Sequence, residues 1–229
     1  MIQQARGSRV HERWAHLRFS VIGQLLAAPP AKGELKAALM ALAAWSALLC
    51  LSGVSCCVAM AMPQVHIVAL CADLGYGSTR GAEMLSVMLS FGIVSRLLFG
   101  WISDHIGGVR TLLLGASLQA VALGLFLPNQ SLDVLFIVSA LFGLFQGGII
   151  PSYAMIVREY FPPRQAGTRV ALTLMATLLG MALGGWASGA IFDLTNSYDA
   201  AFVHGIAWNL VTIAITSMLV WGQRRRAAV

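Results

Sequence analysis

A single arginine inside a long apolar segment is the residue best suited to chemistry in this chain. Residues 84–103 contain no other Asp, Glu, Lys or Arg, and Arg96 lies near their middle. Placing a guanidinium in hydrocarbon costs roughly 3 to 17 kcal/mol, so its side chain is expected to face protein, water or an anion. Because the guanidinium can bind a carboxylate through two parallel hydrogen bonds, Arg96 predicts a binding site for a negatively charged solute.

Helical spacing surrounds Arg96 with small or polar residues. Gly92, Gly100 and Ser103 share its side of a helix. The residues between the members of this stripe are apolar: Ile93, Val94, Leu97 and Leu98. Two other interpretations stay open for Arg96: pairing with backbone carbonyls or a polar neighbour, and snorkelling toward the cytoplasmic boundary about 12 Å away.

Polar residues in later apolar segments are further candidates for the same site. Gln146 shares a helical face with Gly143, Gly147 and Tyr153, and Pro151 is expected to break the helix and free backbone groups there. A second polar face comprises Asn209, Thr212 and Thr216. Hydrogen bonding between helices is the alternative role for all of these residues. We predict that Gln146 and Tyr153 bind substrate together with Arg96.

The remaining reactive residue types do not form an enzyme or metal site. No Ser/His/Asp arrangement lies at one depth, and no glycine loop precedes a Lys-Ser/Thr pair. The cysteines Cys50, Cys56, Cys57 and Cys71 lack the spacing of metal ligands. We therefore expect no catalysis, no cofactor and no metal.

Three other ionisable residues are assigned simple roles, each with an alternative. His66 and His204 lie near the outer boundary, where solvated side chains are favoured over proton coupling. Glu159 is interpreted as a surface ion pair with Arg158, and a gating contact is its alternative.

The elements that must position these residues are membrane-spanning helices. Of the 229 residues, 58% are hydrophobic and 10% charged, whereas a soluble domain carries about a quarter charged residues. Six apolar blocks each reach the ~20 residues that cross the bilayer as a helix. The predicted spans are residues 38–68, 83–103, 110–128, 132–157, 167–192 and 200–222. The chain is therefore predicted to be an all-α, multi-pass membrane protein.

The basic residues indicate orientation and not a nucleic-acid partner, although the net charge is +6. Of the 15 Lys and Arg residues, all except Arg80 and Arg96 fall on one side of the predicted spans. The positive-inside rule then places both termini in the cytoplasm, with the bundle in the cell membrane. Residues 1–36 form a basic leader, predicted to be flexible, and residues 224–229 form a basic tail.

An internal echo divides the spans into three plus three. Residues 100–104 read Gly-Trp-Ile-Ser-Asp, and residues 185–189 read Gly-Trp-Ala-Ser-Gly, each in the second span of its triplet. Inverted triplets are the repeat unit of one transporter architecture. Close helix contact is predicted at three pairs of glycines spaced four residues apart: Gly143/Gly147, Gly180/Gly184 and Gly185/Gly189.

The connection between the second and third spans resembles the signature loop of the major facilitator superfamily. Gly100, Asp104, Gly107 and Arg110 match its pattern, and His105 replaces the usual Arg or Lys. Asp104 is placed to engage a neighbouring helix N-terminus or a cation, and such a latch stabilises one of two conformations. These four matching residues are predicted to form a gating loop, with a solvated turn as the alternative.

A narrower resemblance concerns the run from Arg96 to Gly100 and the segment 159–164 after the fourth span. Together they are similar to the C-terminal half of monocarboxylate or oxalate-type carriers. That resemblance implies that Arg96 binds the substrate carboxylate. Mammalian monocarboxylate carriers have an acid one turn earlier for proton coupling, and Gly92 occupies that position here.

These resemblances imply one six-helix half of a carrier. Its expected function is secondary-active transport of a small organic anion, a monocarboxylate, by alternating access. The expected partners are the lipid bilayer, that anion and a second half, which is either a separate chain or a self-dimer. A non-transporting truncated fragment or an accessory membrane scaffold is the alternative.

Overall fold

The computed structural model describes residues 32–127 and 131–227, and the described residues are almost entirely helical. Most of the expected leader, residues 1–31, lies outside them, as do residues 228–229 of the tail. The chain divides into two units, residues 1–45 and 46–229, and the helix bundle considered below belongs to the second.

Seven helices follow one another along the described chain. They are α1 (Lys32–Asp73), α2 (Ser78–Ile106), α3 (Gly108–Phe126), α4 (Leu132–Gln146), α5 (Ile149–Tyr160), α6 (Pro163–Thr195) and α7 (Tyr198–Ala227). Because α4 and α5 together form one apolar segment, Leu132–Tyr160, the described residues contain six helices long and apolar enough to cross a membrane. This confirms the predicted all-α architecture with six spans.

Special backbone conformations make the connections short. Gly107 separates α2 from α3 with φ of 85°, a left-handed value that glycine adopts without steric cost. Asn196 ends α6 with φ of 48°, which asparagine tolerates better than most residues. Pro163 opens α6, where its missing N–H removes no intrahelical hydrogen bond.

Glycine pairs bring the spans into backbone contact at two places. A Cβ atom on Gly180 or Gly184 of α6 would lie well under 3.0 Å from the backbone of Val54 or Val58 in α1. The pair Gly143 and Gly147 of α4 approaches the backbone of α2 equally closely, at Met88 and Gly92. Two of the three predicted glycine contacts are therefore confirmed as tight. At the third, Gly185 and Gly189, the nearest atoms lie at an ordinary 3.5 Å.

The two tight contacts are reciprocal. One joins the first span of the first triplet to the second span of the second triplet, and the other joins the second span of the first triplet to the first of the second. An inverted repeat produces such exchanged pairs, so the packing agrees with the three-plus-three arrangement.

Candidate functional site

Arg96 lies at the edge of the packed face of α2. The buried residues of this helix recur every three or four positions: Gly81, Met84, Met88, Gly92, Ser95, Phe99 and Ser103. Arg96 directly follows Ser95 and lies one turn after Gly92, yet its side chain is exposed. No acidic group of the described residues lies within 4.0 Å of its guanidinium. Gly92 and Ser103 of the predicted stripe thus pack inward, whereas a Cβ atom on Gly100 would meet open space and the guanidinium of Arg96 faces outward.

The rest of the exposed surface of α2 is strongly apolar at this level. Ile93 is 62% exposed, Leu97 76% and Trp101 64%. Such a surface suits acyl chains or a partner protein and gives the guanidinium no hydrogen-bond acceptor.

The fourth span is interrupted at the level of Arg96. Helix α4 ends at Gln146 and α5 begins at Ile149, and the intervening Gly148 N–H donates to Ser95 Oγ at 2.9 Å. Pro151 contributes to the break because it has no N–H to donate to the carbonyl four residues earlier. The predicted interruption therefore exists, and the residue preceding Arg96 holds it against α2.

Gln146 and Tyr153 are placed differently from Arg96. Gln146 is only 4% exposed, and Tyr153 is completely buried. The Tyr153 hydroxyl forms a hydrogen bond of 3.1 Å with Ser52 Oγ of α1. Tyr153 faces the interior because α5 turns one continuous stripe inward, comprising Ile149, Ser152, Tyr153, Ile156 and Val157. The structure thus puts the phenol inside the bundle and the guanidinium on its surface.

A buried polar network surrounds the middle of α1. Cys56 Sγ donates to Gln119 Oε1 at 3.4 Å, and the Gln119 amide donates back to the Cys56 carbonyl at 3.5 Å. Thr212 Oγ1 lies 3.5 Å from the Ser52 carbonyl, to which it donates. These contacts tie α3 and α7 to α1. The sequence analysis missed Gln119, although a lone glutamine in an apolar run is itself a signal for an inward-facing side chain.

The signature loop is held by Glu159, an acid for which the sequence predicted a surface ion pair with Arg158. Glu159 Oε2, at the end of α5, accepts a hydrogen bond of 3.2 Å from the Gly108 N–H at the start of α3. The predicted surface ion pair between Glu159 and Arg158 is absent among the described residues, and a gating role for Glu159 stays a prediction. Asp104 and Arg110 are both exposed. Within the described loop, Glu159 is thus the acid that engages a helix N-terminus.

The opposite end of the bundle has its own polar contact. Tyr198, the first residue of α7, donates to Asp73 Oδ2 at the end of α1 over 2.5 Å. A cavity of about 260 Å³ opens beside this pair, lined by Leu70, Leu74, Phe126, Leu135, Asn196, Ser197, Tyr198, Asp199 and Phe202. Arg80 on this side forms an ion pair with Glu83 at 2.8 Å.

The chain matches one family model and several known proteins. A family model described as Major Facilitator Superfamily matches residues 47–228. Monocarboxylate transporter 13 of Rattus norvegicus is 31% identical over 144 residues, which cover 62% of this chain and 34% of the relative. Probable anion transporter 7 of Oryza sativa subsp. japonica is 27% identical over 148 residues, covering 63% and 34%.

A relative with a different kind of name also matches. Multidrug export protein EmrB of Haemophilus influenzae is 29% identical over 135 residues, covering 56% of this chain and 26% of the relative. The aligned part of this chain thus spans about a third or less of the length of these relatives.

Proposed function

Because this chain belongs to the major facilitator superfamily, we propose that it is one half of a secondary-active carrier for a small organic anion, a monocarboxylate. The observation that carries this proposal is the exposed guanidinium of Arg96 within an apolar span, without an ionic partner among the described residues. A carboxylate supplies both the negative charge and the paired acceptors that this side chain lacks.

The proposal requires a second surface over Arg96. In the bundle alone, the guanidinium lies on the outside of an apolar helix, where contact with acyl chains is costly. A second six-helix half, as a separate chain or a second copy, would enclose Arg96 in a crevice wide enough for water and substrate. The relatives are longer than the part that aligns with this chain, which supports a second half around the site.

Gln146 and Tyr153 support this site from inside the bundle, where both side chains are buried. Gln146 is the last residue of α4, directly before the interruption whose Gly148 N–H donates to Ser95, the residue preceding Arg96. Tyr153 acts as a positioning residue, since its hydrogen bond to Ser52 fixes α5 against α1.

The signature loop controls the balance between inward-open and outward-open states. In this proposal Gly107 allows a tight turn, and Asp104 and Arg110 engage the opposing half from their exposed positions. Close packing at Gly100, which the sequence predicted, is absent within the described bundle, since a Cβ atom there would meet open space. Glu159 holds the loop within its own half. The protein lies in the cell membrane with both termini in the cytoplasm, which places this loop on the cytoplasmic side.

The test replaces Arg96 with lysine in the assembled transporter. Arg96→Lys keeps the charge but loses two-point carboxylate recognition, so anion uptake should fall at least tenfold, equivalent to about 1.4 kcal/mol. Arg80→Lys, an exposed residue with an ion pair outside the site, is the matched control and should retain uptake. Normal uptake by Arg96→Lys would remove Arg96 from the site.

Reconstitution separates the carrier from the alternative of a fragment or scaffold. Liposomes containing the chain with a second half should take up radiolabelled monocarboxylate, and excess unlabelled monocarboxylate should compete. Absence of flux with every combination of partner and self-assembly would instead favour the non-transporting role.

A further inference from the structure

The cavity of about 260 Å³ lies at the end of the bundle opposite the signature loop. Its lining comes from the ends of α1 and α3, the start of α4, the turn between α6 and α7, and the start of α7. An apolar cavity of about 150 Å³ accommodates one benzene ring. This cavity therefore has room for a ring-sized body together with a short chain and a head group. The proposed transport function uses none of the residues that line it.

One part of the cavity wall is apolar. Leu70, Leu135, Phe126 and Phe202 line it, and all four side chains are buried. The rings of Phe126 and Phe202 stack with their centroids 5.0 Å apart, so each ring is held in place by the other. Such a wall favours an apolar group, and aromatic rings also attract a cation to their faces.

The other part of the wall is polar and negatively charged. Asp199 is exposed and has no ion pair among the described residues. The Tyr198 hydroxyl donates to Asp73 Oδ2 at 2.5 Å, which fixes a third aromatic ring in the wall and brings a second carboxylate beside it. None of the described lining residues is basic, and Arg80 at this end of the bundle is paired with Glu83. The cavity thus combines aromatic rings with carboxylates.

The start of α7 does not turn the cavity into an anion site. Ser197 Oγ accepts a hydrogen bond of 3.3 Å from the Ala200 N–H, so a side chain of the same segment caps the helix. Asp199 in the first turn places a full negative charge beside the partial positive charge of the helix end. A bound carboxylate would be repelled by Asp199. The cavity is therefore opposite in charge preference to the proposed site at Arg96.

We propose that this cavity binds a small primary ammonium ion that carries an apolar, ring-sized body. The ammonium group lies at the rim and donates to Asp199, and the apolar body lies against Phe126 and Phe202. A primary ammonium group has three N–H donors and no acceptor, which matches a carboxylate rim. A bare metal cation does not match the site, because the apolar part of the wall supplies no oxygen ligands.

Competition binding to the full chain in phosphatidylcholine nanodiscs tests the charge requirement. Radiolabelled phenethylammonium is the probe, and unlabelled phenethylammonium, 2-phenylethanol and 3-phenylpropionate are competitors of similar size and different charge. Phenethylammonium should compete about tenfold better than 2-phenylethanol, and 3-phenylpropionate should compete least. Equal competition by 2-phenylethanol would overturn the proposal, since the cavity would then select only for an apolar body.

A lipid head group could supply the same ammonium chemistry, and a second set of nanodiscs separates the two sources. Phosphatidylethanolamine has a primary ammonium group next to a phosphate, which Asp199 would repel. Adding this lipid should therefore leave probe binding unchanged. Displacement of the probe by phosphatidylethanolamine would make a lipid the ligand and overturn the proposal of a free ammonium ion.

Substitutions at the rim locate the binding site. Asp199→Asn keeps the size of an exposed side chain but removes its charge, so the affinity for phenethylammonium should fall about fivefold. Asp193→Asn is the matched control, because Asp193 is an exposed acid of the same end that does not line the cavity. Equal losses from the two variants would overturn the proposal, since only the general surface charge would then matter.

Filling the cavity gives an independent test of the same site. Leu74 is half-buried and lines the cavity, so Leu74→Trp places a larger ring in the space for the ligand. This variant should abolish specific binding of the probe, and a melting curve checks that the protein is still folded. Undiminished binding by folded Leu74→Trp would place the probe elsewhere and overturn the proposal. If Leu74→Trp does not fold, the comparison of Asp199→Asn with Asp193→Asn decides.

Discussion

At the scale of single residues, the contact between Glu159 and Gly108 combines a hydrogen bond with a favourable charge. The first N–H groups of α3 have no acceptor within their own helix, and the Glu159 carboxylate supplies one at 3.2 Å. It also places a negative charge beside the positive end of the helix dipole. Gly108 is required for this approach, because a Cβ atom there would lie 2.8 Å from Ile156 Cγ1.

Substitutions at Glu159 separate these two contributions. Glu159→Ala removes both and should lower the free energy of unfolding by about 1 kcal/mol, as loss of a helix cap does. Glu159→Gln keeps an acceptor and should lose about half as much. Asp104→Asn, at the exposed acid of the same loop, is the control. Thermal melting of the purified chain measures all three, and a larger loss from Asp104→Asn than from Glu159→Ala would identify Asp104 as the latch.

At the scale of the elements, α6 contacts α1 through glycines that differ sharply in the space around them. A Cβ atom on Gly180 would lie 2.5 Å from the Val54 carbonyl oxygen, whereas a Cβ atom on Gly185 would lie 3.5 Å from the nearest side chain. The same helix therefore contains a tight position and a looser one within two turns. The tight positions, Gly180 and the equally close Gly184, set the distance between the helices.

This difference predicts opposite outcomes for one substitution. Gly180→Ala forces the backbones of α6 and α1 apart and should cost about 1–3 kcal/mol of stability. Gly185→Ala meets an ordinary contact and should be neutral or slightly stabilising, because alanine favours helix by up to about 1 kcal/mol over glycine. Melting temperatures in one detergent compare them. Equal effects at the two positions would contradict the packing described for α6.

At the scale of the whole molecule, charge placement and helix order together predict orientation. The connections at Gly107 and between α5 and α6 share one side, and Asp73, Glu83 and Asp193 lie on the other. Most basic residues fall on the first side, which the positive-inside rule assigns to the cytoplasm.

Membrane-impermeant maleimide tests this orientation on intact cells. Asp193→Cys should be labelled from outside, whereas Gln165→Cys should be labelled only after permeabilisation; both positions are exposed. The parent chain is the control, because three of its cysteines are buried and Cys50 is half-buried. The reverse labelling pattern would invert the proposed topology.

The sequence predicted the spans well because a long uncharged run has few alternatives to a membrane helix. It predicted the interruption near Pro151 for a similarly local reason, the missing N–H of proline. The sequence did not predict that Tyr153 is hydrogen-bonded inside the bundle or that Glu159 contacts Gly108. Both depend on which distant helix packs alongside, and local periodicity does not specify that neighbour. The buried Gln119 shows that a single polar residue in an apolar run deserves an inward assignment.

The connection at Gly107 has a mechanical consequence for the proposed carrier. One residue separates α2 from α3, and Glu159 fastens that joint to α5. Because this connection is so short, a tilt of α2 that moves Arg96 also moves α3, as if the two helices were one rigid body. Substrate binding at Arg96 would then move α3 at the membrane surface by rigid-body motion, without a series of rearranged side chains in between.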